Sequence, residues 1–267
     1  MSRSIALDAA NEVVRVQAHN LGYTYPGSSV PALQSVSMVQ NRGEISGLAG
    51  LSASGKSTLG RVLKGLIESD RGEVVVELNG GRIRKLPAQE RLALFGWADA
   101  HPETQFFAGS VQEEIAFGLV NQGFAADELE GMVRSTLSAV GLDSSLFGAR
   151  RPRSLSGGEK RRTALASVAA MCFPFYIFDE PTAGLDRPGL DAVIGLFCNL
   201  KDQGAGVLWI SHDLSALRQV VDRLMLMDQG TILLDAEAWA VDWDTLDAGL
   251  KRGKVALGDF KSQTSVV

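Results

Sequence analysis

Short apolar runs alternate along this chain with apolar residues at helical spacing, a pattern that predicts strands interleaved with helices. Residues 13–16 and 32–40 read as strands, the second carrying Leu33, Val36, Met38 and Val39. A buried strand over 44–48 enters a glycine-rich loop, after which residues 57–67 place Leu59, Val62, Leu63 and Leu66 on one helical face. Residues 73–78 form a strong strand, which Asn79-Gly80-Gly81 turns tightly. The character then changes. Val111, Ile115 and Leu119 fall at helical spacing, and residues 127–140 make a second amphipathic helix through Leu129, Met132, Val133 and Leu137, so residues 104 to about 160 read as a helical lobe inserted into an α/β core. A third helix carries Ala164, Leu165, Val168 and Ala169. Phe175-Tyr-Ile-Phe178 has the form of a parallel strand buried on both faces; a helix over 190–200 and another apolar strand over 206–211 follow. Residues 224–227 and 231–234 form a hairpin. Beyond Ala236 a short helix carrying Trp239 and Trp243 is expected, then a mobile tail from about Gly253; residues 1–11 read as a loose terminus.

The chemistry gathers at the ends of the strands. Gly50-Leu-Ser-Ala-Ser-Gly-Lys-Ser-Thr58 fits the phosphate-binding pattern G-x-x-x-x-G-K-[ST], in the strand, loop and helix context that the pattern needs. A glycine-rich turn with a chance lysine is the plain alternative. In the functional reading, loop N–H groups and the helix N-terminus converge on phosphate oxygens, Lys56 neutralises the β- and γ-phosphates, and the Ser57 hydroxyl ligates magnesium. Asp179 and Glu180 end the 175–178 strand on the crevice side, Asp179 placed to hold magnesium and Glu180 to take a proton from an attacking water or orient it. His212 ends the next strand and is within reach of a γ-phosphate.

Arg150-Arg-Pro-Arg153 alone would suit a nucleic-acid patch. The Ser-Gly-Gly turn that follows suggests a narrower role, with Ser156 as N-cap and the N–H groups of Gly157 and Gly158 forming a second anion cradle. Tyr25, beside Pro26 and Gly27, is either a flat surface for a base or a half-buried strand-end tyrosine.

At 267 residues, 45% hydrophobic and with a net charge of −5, the chain has no basic excess that would favour nucleic acid. Cys172 and Cys198 lie in apolar segments without ligand spacing and read as buried thiols in a reducing cytoplasm, which disfavours a disulfide framework and a zinc site. No run approaches the roughly 18 apolar residues of a membrane-spanning helix, so any membrane role is expected to be peripheral.

Together these elements resemble the nucleotide-binding subunit of ATP-binding-cassette transporters over roughly residues 13–235. Gly50 to Thr58 match the Walker A loop, Leu155 to Glu159 the family signature, Tyr176 to Asp179 Walker B, Glu180 the catalytic glutamate, Ala183 to Asp186 the D-loop, His212 the switch histidine and Tyr25 the adenine-stacking aromatic. The resemblance implies an α/β fold: a RecA-like P-loop core with an antiparallel β subdomain and the inserted α-helical signature lobe. The nucleotide-binding domain would span residues 12–235 and a short extension 236–267. Catalysis would fall to Glu180, His212 and Lys56, and magnesium to Ser57 and Asp179. ATP would be held by Tyr25, Gly50, Ser54, Gly55, Lys56, Ser57 and Thr58. Ser156, Gly157 and Gly158 of a second copy or related subunit would cover it in a head-to-tail dimer. Implied partners are transmembrane transporter subunits at the cytoplasmic face of the membrane.

His101-Pro-Glu-Thr-Gln-Phe-Phe107 with Val111-Gln-Glu-Glu-Ile-Ala-Phe-Gly118 looks like energy-coupling-factor importers of vitamins and cobalt or nickel, whose pattern is F-Q-N-P-x-x-Q-x-F followed by V-x-x-E-x-A-F-G. Aligning Pro102 and Gln105 places Ala100 where the Q-loop glutamine belongs, and a methyl group can neither ligate magnesium nor hydrogen-bond water. Ala53 and Glu159 depart where glycine and glutamine are usual. A regulatory subunit paired with a catalytic sibling is therefore the alternative. A soluble cassette ATPase of DNA repair or translation is disfavoured by the lack of a coiled-coil insertion, a second cassette or a basic surface.

Overall fold

In the computed structural model, which describes residues 12–101 and 104–252, the strands sort into two sheets. Four form an antiparallel sheet in the order β2-β1-β4-β5: β1 (Val13–Tyr23), β2 (Leu33–Asn41), β4 (Arg71–Leu78) and β5 (Ile83–Lys85). Six form the second, ordered β10-β9-β3-β8-β7-β6, from β3 (Ile45–Ala49), β6 (Phe95–Ala98), β7 (Phe175–Asp179), β8 (Gly206–Ile210), β9 (Arg223–Asp228) and β10 (Thr231–Glu237). Its pairings are parallel except at the β9–β10 hairpin.

Each parallel strand in the middle of that sheet packs on both faces, which is why its sequence runs apolar without alternation. In β7, Tyr176 and Phe178 join the core on one face; Phe175 and Ile177 join the other. The second face receives α1 (Lys56–Lys64) through Leu59, Val62 and Leu63, together with Val16, Leu21, Val36 and Val74 of the antiparallel sheet. Also on the chain are α2 (Ala88–Leu94), α3 (Val111–Gln122), α4 (Ala126–Ala139), α5 (Ser144–Phe147), α6 (Gly157–Ala169), α7 (Arg187–Asp202), α8 (Leu214–Leu217) and α9 (Trp243–Lys251). Ile115 and Leu119 of α3, Leu137 of α4, Leu165 of α6 and Phe197 of α7 pack on the first face. There the ring of Phe178 stacks on Phe197 at 4.6 Å, and Phe197 meets Trp209 edge-on at 5.2 Å. The buried Tyr176 hydroxyl donates to the Ala169 carbonyl at the end of α6 and accepts from the Phe173 N–H, so it costs no unsatisfied polar group.

Several expectations need correction. Strand β1 does not stop at residue 16; it pairs on both edges and continues to Tyr23. The single helix over Trp239 and Trp243 is two elements, because Trp239 sits in a 3-10 turn, Ala238–Ala240, and is 87% exposed, whereas Trp243 opens α9 under the Asp242 N-cap and is buried. The thiols are not buried: Cys172 is exposed, in a left-handed conformation (φ 49°) just after α6, and Cys198 is half-exposed on α7. Expectations for residues 1–11, for Pro102 and for the tail from Gly253 fall outside the described residues. Among the described residues no helix is long and apolar enough to cross a membrane.

Candidate functional site

The loop between β3 and α1 owes its shape to glycine at two points. Gly50 has φ 149° and Gly55 φ 107°; a Cβ at Gly50 would lie 2.1 Å from the Met227 carbonyl, and one at Gly55 would lie 2.4 Å from the Ala32 carbonyl. Ala53 adopts φ 62° in the same loop without being glycine, so the departure noted in the sequence is a strained one. Lys56, the first residue of α1, is 7% exposed and turns back into the loop, where its ammonium donates to the carbonyls of Gly50 (2.9 Å) and Leu51 (2.7 Å). Burial lowers its pKa, against the opposing charges of Glu180 and Asp179.

Strand β7 delivers its two acids to this loop. Asp179 continues the face of Phe175 and Ile177, the one that packs on α1, and it accepts a hydrogen bond from the Ser57 hydroxyl. Only 4% exposed, its carboxyl is pushed up chiefly by burial; the Ser57 bond opposes this, while the charges of Glu180 and Asp99 reinforce it. A hydroxyl and a carboxylate side by side suit a hard cation that takes its remaining ligands from phosphate and water. Among the described residues no three His, Cys, Asp or Glu side chains gather into a cage of their own.

Glu180 has φ 47°, held there by its N–H bond to the Ile210 carbonyl (2.9 Å) and by Arg161 of α6, whose Nη1 donates to the Glu180 carbonyl (2.6 Å). The end of β8 grips its carboxylate. Oε1 accepts from the His212 N–H at 3.1 Å and meets His212 Nδ1 at 2.8 Å, while Oε2 accepts from the Ser211 hydroxyl at 3.2 Å. His212, read from sequence as a phosphate contact, thus first of all orients the glutamate.

Tyr25 stands on the other side of the loop, 38% exposed, with its hydroxyl 3.1 Å from that of Thr58. Together with Ser54, Gly55, Lys56 and Ser57 it lines a pocket of about 340 Å³. A second pocket of about 670 Å³ lies between Gly50, His212 and the Trp243 end of α9. Ser156, Gly157 and Gly158 line neither pocket. Ser156 caps α6 instead, accepting from the Glu159 N–H while the Glu159 carboxylate accepts from the Ser156 N–H, a complete capping box. The Glu159 departure is thereby used: the carboxylate closes that box and lies 4.0 Å from Arg150.

One chain therefore brings together Gly50, Lys56, Ser57, Asp179, Glu180 and His212, whereas its Ser-Gly-Gly turn lines neither pocket beside the loop. Sequence reasoning missed Ser211 and Asp99; both sit at strand ends, where only the register shows what they face. It missed too that α9 walls the approach to the loop.

Residues 33–183 match the ABC transporter family model. The Energy-coupling factor transporter ATP-binding protein EcfA of Methanothermobacter thermautotrophicus is 33% identical over 220 residues, which cover 82% of this chain and 70% of that protein. The solved structure of cbiO1 from Clostridium perfringens, described as part of the ABC transporter complex cbiONQ, superposes with a TM-score of 0.73 at 26% identity, covering 90% of this chain and 96% of that one. The dimeric ATP-binding cassette MJ0796 bound to ADP and Pi, at 23% identity, bears on the fold alone: its TM-score is 0.74, over 84% of this chain and 98% of that one. Motif order, sheet topology and these likenesses agree, and the chain belongs to the ABC transporter family as one of its ATP-hydrolysing subunits.

Proposed function

We propose that this chain powers an energy-coupling-factor-type importer of a vitamin or a transition-metal ion, as a peripheral subunit on the cytoplasmic face of the membrane. Its nucleotide-binding domain is taken as residues 12–235, with the lobe over about 104–160 and an extension beyond 235. The observation that carries the reading is the convergence of Lys56, the Ser57–Asp179 pair and the Glu180–His212 pair on one glycine-shaped loop.

Tyr25 stacks on the adenine, and the N–H groups of the loop and of the start of α1 hold the phosphates. Lys56 exchanges its bonds to the Gly50 and Leu51 carbonyls for phosphate oxygens. Ser57 and Asp179 hold magnesium, which when bound neutralises charge developing on the phosphates. Glu180 accepts a proton from the water that attacks the γ-phosphorus, and Ser211 and His212 fix the angle at which it does so. Ser156 to Gly158 do not line either pocket beside this chain's own loop, and a second copy or a related ATPase completes the site with its own signature turn. Dimer closure passes to transmembrane subunits through the surface around residues 99–118, and nucleic acid has no part.

General-base assistance contributes about two to four orders of magnitude. Glu180→Gln is expected to lower steady-state hydrolysis by that much while leaving ATP affinity intact; unchanged turnover would sink the assignment. Ala100 favours a second reading, a regulatory subunit paired with a catalytic sibling. Absence of hydrolysis in both the native chain and Ala100→Gln would support that reading.

A further inference from the structure

Ala100 removes a polar group from the cation side of the nucleotide, and the neighbouring residue offers one. Strand β6 pairs in parallel with β7 in the register Trp97 to Ile177 and Ala98 to Phe178. The β6 pairing ends there, and Asp99 follows Ala98 as Asp179 follows Phe178. The alternation of the pleat gives them a common face: Ala98 and Phe178 belong to the lobe-side core, whereas Trp97 and Ile177 pack on the side of α1. Asp99 is therefore carried toward the side from which Ser57 reaches Asp179. It is half-buried, and its Oδ1 accepts from the His101 N–H at 3.1 Å, which holds the side chain against the turn. Asp99 and Asp179 are close enough for their charges to interact.

We propose that Asp99 takes over the cation-facing role of the missing glutamine, accepting hydrogen bonds from the water shell of the divalent ion that Ser57 and Asp179 hold. Magnesium keeps several of its waters and is commonly bound through one or two carboxylates, so a second acid behind that shell matches its chemistry. Asp99 is a positioning residue: it acts on the nucleotide through the ion. The pair of acids also makes the site unfavourable for a bare triphosphate, so nucleotide binding becomes strongly dependent on the cation. This inference rests on the nucleotide reading above.

The test is the affinity of the purified full-length chain for a fluorescent, non-hydrolysable ATP analogue, measured with magnesium and again with EDTA. Outer-shell partners of a metal commonly contribute 10- to 100-fold to its affinity. Asp99→Asn keeps the Oδ1 acceptor of the His101 turn and removes only the charge. It is expected to cut the magnesium-dependent gain in affinity about tenfold, leaving the EDTA affinity unchanged or tighter. Ala100→Gln in the Asp99→Asn background is expected to restore the gain. A gain within about twofold of the native chain's in Asp99→Asn, or an equal weakening with and without magnesium, would overturn the proposal and leave Asp99 a turn residue. A native chain that binds no analogue under either condition would overturn the nucleotide reading as well.

Discussion

Glu180 shows how much of a residue's role lies in its backbone. Its left-handed φ of 47° aims the carboxylate at the end of β8, where Ser211 and His212 receive it, and a neighbouring strand carbonyl and an arginine stabilise the conformation. Ala53 has a similar conformation without such a use. Glycine there is expected to stabilise the chain by about 1 kcal/mol, since a left-handed L-residue costs roughly that much, and urea denaturation of Ala53→Gly would measure it. Lys64 carries a different cost. Burial pulls its pKa from 10.5 down to about 8, although its ammonium donates to the carbonyls of Leu92 and Phe95. Between those values the unfolded chain binds the extra proton, so this residue's contribution to stability rises with pH across the window. The gain in unfolding free energy from pH 8 to 10.5 should be smaller in Lys64→Met than in the native chain. Charged site residues were legible in the sequence because phosphate and magnesium chemistry demands particular groups at fixed offsets. Ser211 and Asp99 were not, because an ordinary serine or aspartate becomes informative only beside its neighbour on the next strand.

Elements were legible in proportion to the apolar surface they bury. Strands β3, β7 and β8 are buried along their whole length and helix α4 carries a one-sided pattern, whereas α3 buries Val111, Ile115 and Leu119 but leaves Phe117 and Val120 exposed. Strand β6, four residues with a glycine inside, and β5, three residues with little burial, have no period to detect; their pairing partners make them strands. Trp239 misled the reading at the C-terminus because an exposed tryptophan resembles a core residue in sequence. The stacked rings under β7 and β8 predict that Phe197→Ala costs about 3–5 kcal/mol, a fully buried aromatic being replaced by a cavity. At α6, Ser156→Asp separates the two roles assigned to the turn. Aspartate is as good an N-cap as serine, so thermal stability should hold within about 0.5 kcal/mol, while the added charge should block the approach of a second copy's phosphates and abolish hydrolysis.

On the scale of the whole molecule, the six-stranded sheet divides the labour: α1 and the antiparallel sheet on one face shape the nucleotide loop, and the helical lobe on the other carries α6. The tip of α6 is proposed to reach another subunit's nucleotide. Barely a turn further along, Arg161 of the same helix holds this subunit's Glu180 by its carbonyl. Neighbouring positions at one end of the same helix would thus answer to two different ATP molecules, and a displacement of the helix that seats the tip would load the bond at Arg161. Such an arrangement would make the two hydrolysis events interdependent. Arg161→Met is expected to bring the Hill coefficient for ATP down toward one while the subunits still pair, as a rod cut loose from its lever would.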